Sequence, residues 1–210
     1  SLLSYLFGAV VLTLPTGCSR FTGKKSSNDH RDEGSPTKSQ GVIMGTVKDL
    51  NGEGLADVSI ADPKGGVSET KTNSQGYFVI QNAPENEDEI FNFRKPGYAL
   101  TCKRVHVRLG ETTYVEAVMS PEGAPIELAD GSGDAVSPSG AAVKIKPGSL
   151  VNGQGQAYDG PVKVSITSFD PTTPAGIQAF PGRFEGLRAD GSDTAIMSLG
   201  FADFTLRDPS

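Results

Sequence analysis

Residues 41–60 read GVIMGTVKDLNGEGLADVSI, and the fold class follows from how this stretch alternates. Ile43, Gly45 and Val47 fall on one side of a period-two pattern, Asn51-Gly52-Glu53-Gly54 is a turn signal, and Val58 and Ile60 resume the pattern. Successive side chains of a strand point to opposite faces, so a short run of period two predicts a strand with one buried face. The same grammar continues downstream. Pro63-Lys-Gly-Gly66 turns the chain before Thr70–Thr72, and Asn73-Ser-Gln-Gly76 turns it again before Phe78 and Ile80. Phe91 and Phe93 precede Lys95-Pro-Gly-Tyr98; Val105, Val107 and Leu109 then alternate with His106 and Arg108, and Thr113–Met119 closes the set. About seven strands with turn signals every 8–12 residues predict a Greek-key β-sandwich, and this stretch shows no amphipathic helix of useful length.

Moving toward the C-terminus, residues 120–140 (SPEGAPIELADGSGDAVSPSG) form a Pro/Gly/Asp-rich joint with one short strand expected at Ile126–Leu128. Strands resume from Ala141 with Val143–Ile145, then Val162–Thr167, and Ala202–Arg207 alternates with the opposite parity. The expected organisation is all-β: a sandwich over 41–119, a linker over 120–140, and a second, incomplete sandwich over 141–210. Residue 1 is Ser, and the chain stops just after a strand pattern. It is therefore expected to be a fragment of a longer reading frame.

Toward the N-terminus, residues 19–40 mix Lys, Arg, Asp and Glu with Ser, Gly and Pro and carry almost nothing apolar. Such a segment cannot bury enough surface to order itself and is expected to be a stalk, with His30 solvated inside it. Leu2–Leu14 (LLSYLFGAVVLTL) is a chargeless apolar run, about the length of a signal-peptide core and too short for the roughly 20 residues of a spanning helix. Thr16-Gly17-Cys18 after it resembles a bacterial lipoprotein signal, with Pro15 where Leu is usual and Leu14 one position earlier. That resemblance implies cleavage before Cys18 and diacylation of its sulfur. Each buried CH₂ contributes about 0.8 kcal/mol, so two or three acyl chains anchor stably where one does not. An ordinary cleaved signal or an uncleaved signal anchor are alternatives that also imply export, and a buried core segment is the alternative that does not.

Two further resemblances rest on groups of motifs. Val42–Val47, Gly54–Ile60, Thr72–Phe78 and Lys95-Pro-Gly-Tyr98 together resemble the carboxypeptidase regulatory-like domain, a transthyretin-like sandwich. This implies a folding or recognition module found on many exported proteins, without catalytic residues of its own. Lys146–Leu150, Tyr158-Asp-Gly160, Phe169–Thr172, Phe180-Pro-Gly182, Ala189-Asp-Gly191 and Ser198–Phe201 are similar to the region that follows such a module in cartilage intermediate layer proteins and related bacterial surface proteins. That similarity implies an extracellular or cell-surface interaction role, with no defined ligand.

Composition narrows the chemistry. A formal net charge of −6 over 210 residues gives no basic footprint for phosphate, so nucleic acid is not an expected partner. The two histidines are His30 in the stalk and His106 on a polar strand face, which leaves no base beside a Ser or Cys nucleophile and no converging zinc ligands. The chain is expected to be no enzyme and to need no cofactor. Asp130-Gly-Ser-Gly-Asp134 and Asp190-Gly-Ser-Asp193 are candidate Ca²⁺-binding turns, although Asp and Gly are also what tight turns use. Phe180, Arg183 and Phe184 are candidate binding residues, or else the two rings are core. Cys102 is expected to be a small buried hydrophobe, with a bridge to Cys18 or to another chain as alternatives. The functional expectation is a membrane-tethered surface protein that acts in adhesion, scaffolding or ligand binding, with a glycan or a surface protein as partner. The alternative is the accessory N-terminal part of a larger exported hydrolase or transporter.

Overall fold

The computed structural model describes residues 40–182, 185–195 and 200–207. They divide into two compact units. The larger holds, among described residues, 40–123, 167–182, 185–195 and 200–203, and the smaller holds 124–166 and 204–207.

The larger unit contains seven strands where the alternation predicts them: β1 (Gly41–Lys48), β2 (Ser59–Ala61), β3 (Thr70–Lys71), β4 (Tyr77–Ala83), β5 (Asn86–Arg94), β6 (Thr101–Val107) and β7 (Thr112–Val118). They form a three-stranded sheet ordered β4-β1-β7 and a four-stranded sheet ordered β3-β2-β5-β6. β1 pairs antiparallel with β4 and parallel with β7. Ile43, Val47, Phe78, Ile80 and Ala117 from the first sheet share one buried cluster with Ile60, Phe91, Phe93, Val105 and Val107 from the second. Phe78 and Phe93 meet edge to face across it, with ring centroids 5.8 Å apart. The chain is an all-β sandwich protein.

Two glycines are required by that packing. Gly76 adopts φ +81, and its carbonyl accepts from Val47 N at 2.8 Å, while Asn73 Oδ1 holds the turn by accepting from Gln75 N and Tyr77 N. At Gly45, a Cβ would lie 2.1 Å from Val115 O and 2.7 Å from the Phe78 ring, so a bare backbone is what lets that ring lie over β1.

In the smaller unit and the segments joining it, β8 (Pro125–Leu128), β9 (Gly133–Val136), β10 (Ala142–Ile145) and β11 (Val162–Phe169) follow in order. β9 and β10 pair antiparallel, as do β8 and β11. The stretch 120–140 thus carries two strands, β8 and β9. β11 is the middle strand of a sheet ordered β14-β11-β8, β14 being Phe201–Arg207. Clean alternation over Val162–Thr167 predicts one polar face, yet Ser165 and Thr167 are also buried. Both faces of β11 are thus buried over 164–167, and the Thr167 hydroxyl oxygen accepts from Gly123 N at 3.0 Å.

The larger unit also holds α1 (Pro174–Ala179) and the hairpin of β12 (Glu185–Leu187) with β13 (Asp193–Ala195). α1 starts where Thr173 Oγ1 accepts from Gly176 N at 3.1 Å, with a proline in its first turn. No helix among the described residues is long and apolar enough to cross a membrane.

Candidate functional site

The outer face of the β4-β1-β7 sheet is where the larger unit places apolar side chains against solvent. Odd positions of β1 and β7 point into the sandwich, so Val42, Met44, Thr46 and Lys48 of β1 and Thr112, Tyr114, Glu116 and Val118 of β7 point out. The register puts Val79, Met44 and Tyr114 in one row across all three strands, and Tyr77, Thr46 and Glu116 in the next. Neighbouring strands lie about 4.8 Å apart, so the three side chains of each row are in contact range. Met44 keeps 37% of its surface, Val79 41%, Tyr77 54% and Tyr114 78%. Isolated exposed apolar residues are ordinary, whereas a contiguous row marks a surface that meets something.

The ends of this face differ. Val118, on the same outward parity as Tyr114, is buried in a cluster with Ala99, Phe169 and Ala179, against which Phe180 and Phe201 pack. The Lys48 ammonium lies 2.8 Å from Glu116 Oε2, which gives the bare part a charged border; exposed pairs of this kind contribute little to stability. The arrangement has no nucleophile paired with a base; it offers rings, a thioether and a branched side chain on a flat sheet.

The residues singled out from sequence fall elsewhere. Phe180 stacks on Phe201 at 4.8 Å and meets Phe169 edge to face at 5.6 Å, beside the buried cluster that covers Val118. Arg183, Phe184 and Cys18 lie outside the described residues. Asp130 accepts from Ser132 N at 3.4 Å, and Asp134 pairs with Lys144 at 3.4 Å with both side chains exposed. Asp190 accepts from the Ser192 hydroxyl at 2.7 Å and its N–H at 2.9 Å, and these two bonds, the hydroxyl first, hold its carboxyl below the usual range. Asp193 sits exposed on β13, opposite Leu187. Among the described residues, no three His, Cys, Asp or Glu side chains gather where they would hold a metal ion.

Two details of β6 differ from expectation. The alternation predicts a slip near Lys103–Arg104, but those residues pair regularly with Phe91 and Ile90, and the bulge lies on β5 between Asn86 and Glu89. Lys103 occupies an inward position, and its ammonium reaches Gln178 O at 2.8 Å; burial lowers its pKa, while the charge of Glu116 raises it. Cys102 is half-buried and disulfide-bonded rather than a free buried thiol, with its sulfur 3.2 Å from Asn92 Oδ1.

Sequence reasoning did not pick out Met44, Tyr77, Val79 or Tyr114. The available signal was that both parities of β1 are apolar at its start, where one polar parity is expected of a surface strand.

No family model matches the chain, and no curated protein matches it. Among solved structures, a minor pilin of Streptococcus agalactiae is similar at 17% identity and a TM-score of 0.35, over 42% of this chain and 48% of the pilin. The TIE protein of Bacillus anthracis is similar at 16% identity and a TM-score of 0.34, over 61% of this chain and 27% of that protein. The chain spans less than half the length of either.

Proposed function

We propose that this chain is exported and works without catalysis, as an adhesive or scaffolding module at the outer surface of a cell membrane. It docks a partner protein through the Val79–Met44–Tyr114 row and Tyr77. The observation that carries this is the contiguity of those side chains on one bare sheet face, bordered by Lys48 and Glu116. Aromatic rings and Met at the centre with charged groups at the rim are the composition of protein interfaces. So small a patch binds weakly alone, and tethering many copies on one surface multiplies its effect.

The apolar run at Leu2–Leu14 and the disulfide of Cys102 support export, because disulfides persist in oxidising compartments. Membrane attachment through residues 1–18 completes the proposal, by lipid on Cys18 or by an uncleaved signal anchor. Cys18 is the other cysteine of the sequence, and one sulfur cannot hold both a thioether and a disulfide. A lipid on Cys18 and a bridge between Cys18 and Cys102 therefore exclude each other, and the mass of the extracted protein decides between them.

The test is to express the chain with its own N-terminus in a bacterial host, alongside Cys18→Ala and a Tyr77→Ser/Tyr114→Ser double variant. Protease shaving of intact cells and the mass of the extracted protein report location and anchor. Adherence of the cells to surfaces coated with fibronectin, collagen or mucin reports binding. The proposal expects shaving, and adherence to a protein coat that the tyrosine variant loses. A chain protected inside the cell refutes export. Adherence that ignores the tyrosines refutes the face, and adherence to mucin glycans alone replaces the protein partner with a carbohydrate.

A further inference from the structure

We propose that Lys64 and Asn86 become joined by an amide bond between their side chains, with Glu89 as the proton carrier. The three residues meet at one end of the four-stranded sheet. Ala61 of β2 pairs with Asn92 of β5, so continuing that register three residues onward sets Lys64 across from Glu89. The turn is pinned by Asp62, whose carboxylate accepts from Lys64 N at 2.7 Å and Gly66 N at 2.6 Å.

Residues three apart on a regular strand point to opposite faces. The β5 bulge between Asn86 and Glu89 resets that parity and brings both side chains together. Glu89 is buried, at 6% exposure. Its Oε2 accepts from Asn86 Nδ2 and lies 3.2 Å from Lys64 Nζ. Its Oε1 is 3.1 Å from the same ammonium but poorly aligned for a hydrogen bond, so that contact is an ion pair. Asn86 Oδ1 accepts from Asp88 N at 3.0 Å.

One carboxylate thus touches both an amine and a carboxamide nitrogen, and the carboxamide oxygen already holds a backbone N–H. These are the parts of an acyl transfer: nucleophile, proton carrier, and a donor at the oxygen where charge develops. Lys64 passes a proton to Glu89, and the neutral amine attacks Asn86 Cγ while Asp88 N–H holds the oxygen. Glu89 delivers its proton to Nδ2, takes the remaining amine proton as ammonia departs, and yields it to form ammonium. A C–N bond forms and another breaks. Lysine ammonium plus carboxamide gives secondary amide plus ammonium, with no oxidant and no cofactor. The reaction happens once per molecule, so fixed proximity suffices at a slow rate.

The test is peptide mapping of the intact chain by mass spectrometry after incubation at neutral pH. The expected result is a branched peptide joining the Lys64 and Asn86 segments, lighter than their sum by one ammonia, with no tryptic cleavage after Lys64. Lys64→Arg keeps a cation beside Glu89 but removes the nucleophile, so it gives separate linear peptides, an unchanged far-UV spectrum of the folded chain, and a lower melting temperature because the cross-link no longer closes the loop between residues 64 and 86. Cleavage after Lys64 with an unmodified Asn86 in the unsubstituted chain overturns the proposal, whatever the variants do. A link that survives Glu89→Gln overturns the role given to Glu89.

Discussion

If the outer face of the β4-β1-β7 sheet is bare, the stability of the sandwich depends little on its side chains, and Tyr114→Ala measured against Phe93→Ala tests this. Phe93 is 1% exposed and meets Phe78 edge to face at 5.8 Å. Truncating a buried Phe costs about 3–5 kcal/mol, of which the aromatic pair accounts for about 1. Tyr114 keeps 78% of its surface in solvent. The remaining fifth of roughly 200 Å², at about 25 cal/mol per Å², is worth about 1 kcal/mol. The assay is urea unfolding followed by far-UV circular dichroism, since the chain has no Trp to report. With a denaturant slope of about 2 kcal/mol/M, Phe93→Ala lowers the midpoint by about 2 M and Tyr114→Ala by about 0.5 M. A Tyr114→Ala shift as large as that of Phe93→Ala would mean that another part of the molecule covers the face, and the docking proposal fails. A small shift for Phe93→Ala would refute the assignment of the core itself.

Three further outcomes follow from named contacts. Gly76→Ala places a Cβ 2.4 Å from Val47 O at φ +81, whereas Gly52→Ala meets nothing at φ +87; the first loses about 2–3 kcal/mol in thermal unfolding and the second about 1, and equal losses would show that the approach to Val47 is unimportant. Asp170 is held below its ordinary pKa by the Thr172 hydroxyl first and the Thr172 N–H second. The ionised form is thus favoured in the fold, and its contribution is present above the unfolded pKa of about 3.9 and lost as pH falls through the lower folded value. An NMR titration shows a depressed midpoint for Asp170 that rises in Thr172→Val, and an unchanged midpoint contradicts the hydrogen-bond assignment. Finally, Cys102 takes no alkylating label in denaturant until reductant is added; labelling without reduction excludes the disulfide.

Local chemistry made the strands of the larger unit legible, and tertiary context hid most of what bears on function. Gly76, Asn73 and Phe78 could be placed because a positive-φ turn and a ring two residues later form one short-range unit. The first turn of α1 carries an equally local signal, Thr173 followed by Pro174, but a helix of six residues is too short to show periodicity. Lys103 reads as a slipped register because a lysine on the inward parity breaks the alternation, and only Gln178 O, distant in sequence, gives its ammonium a partner. The β5 bulge is invisible for the same reason: it exists only relative to β6. The face on β1 is the hardest case. Val42 and Met44 on one parity and Ile43 and Val47 on the other read as a strand apolar on both sides, which describes a strand buried between two layers as well as one that keeps an apolar face for a partner. The two differ only in what lies above the sheet. Here α1 and Phe180 cover Val118 and stop, leaving Tyr114, Met44, Val79 and Tyr77 exposed. A sequence rule that assigns every doubly apolar strand to the interior would discard this face, so exposure at paired register positions is the quantity to ask for.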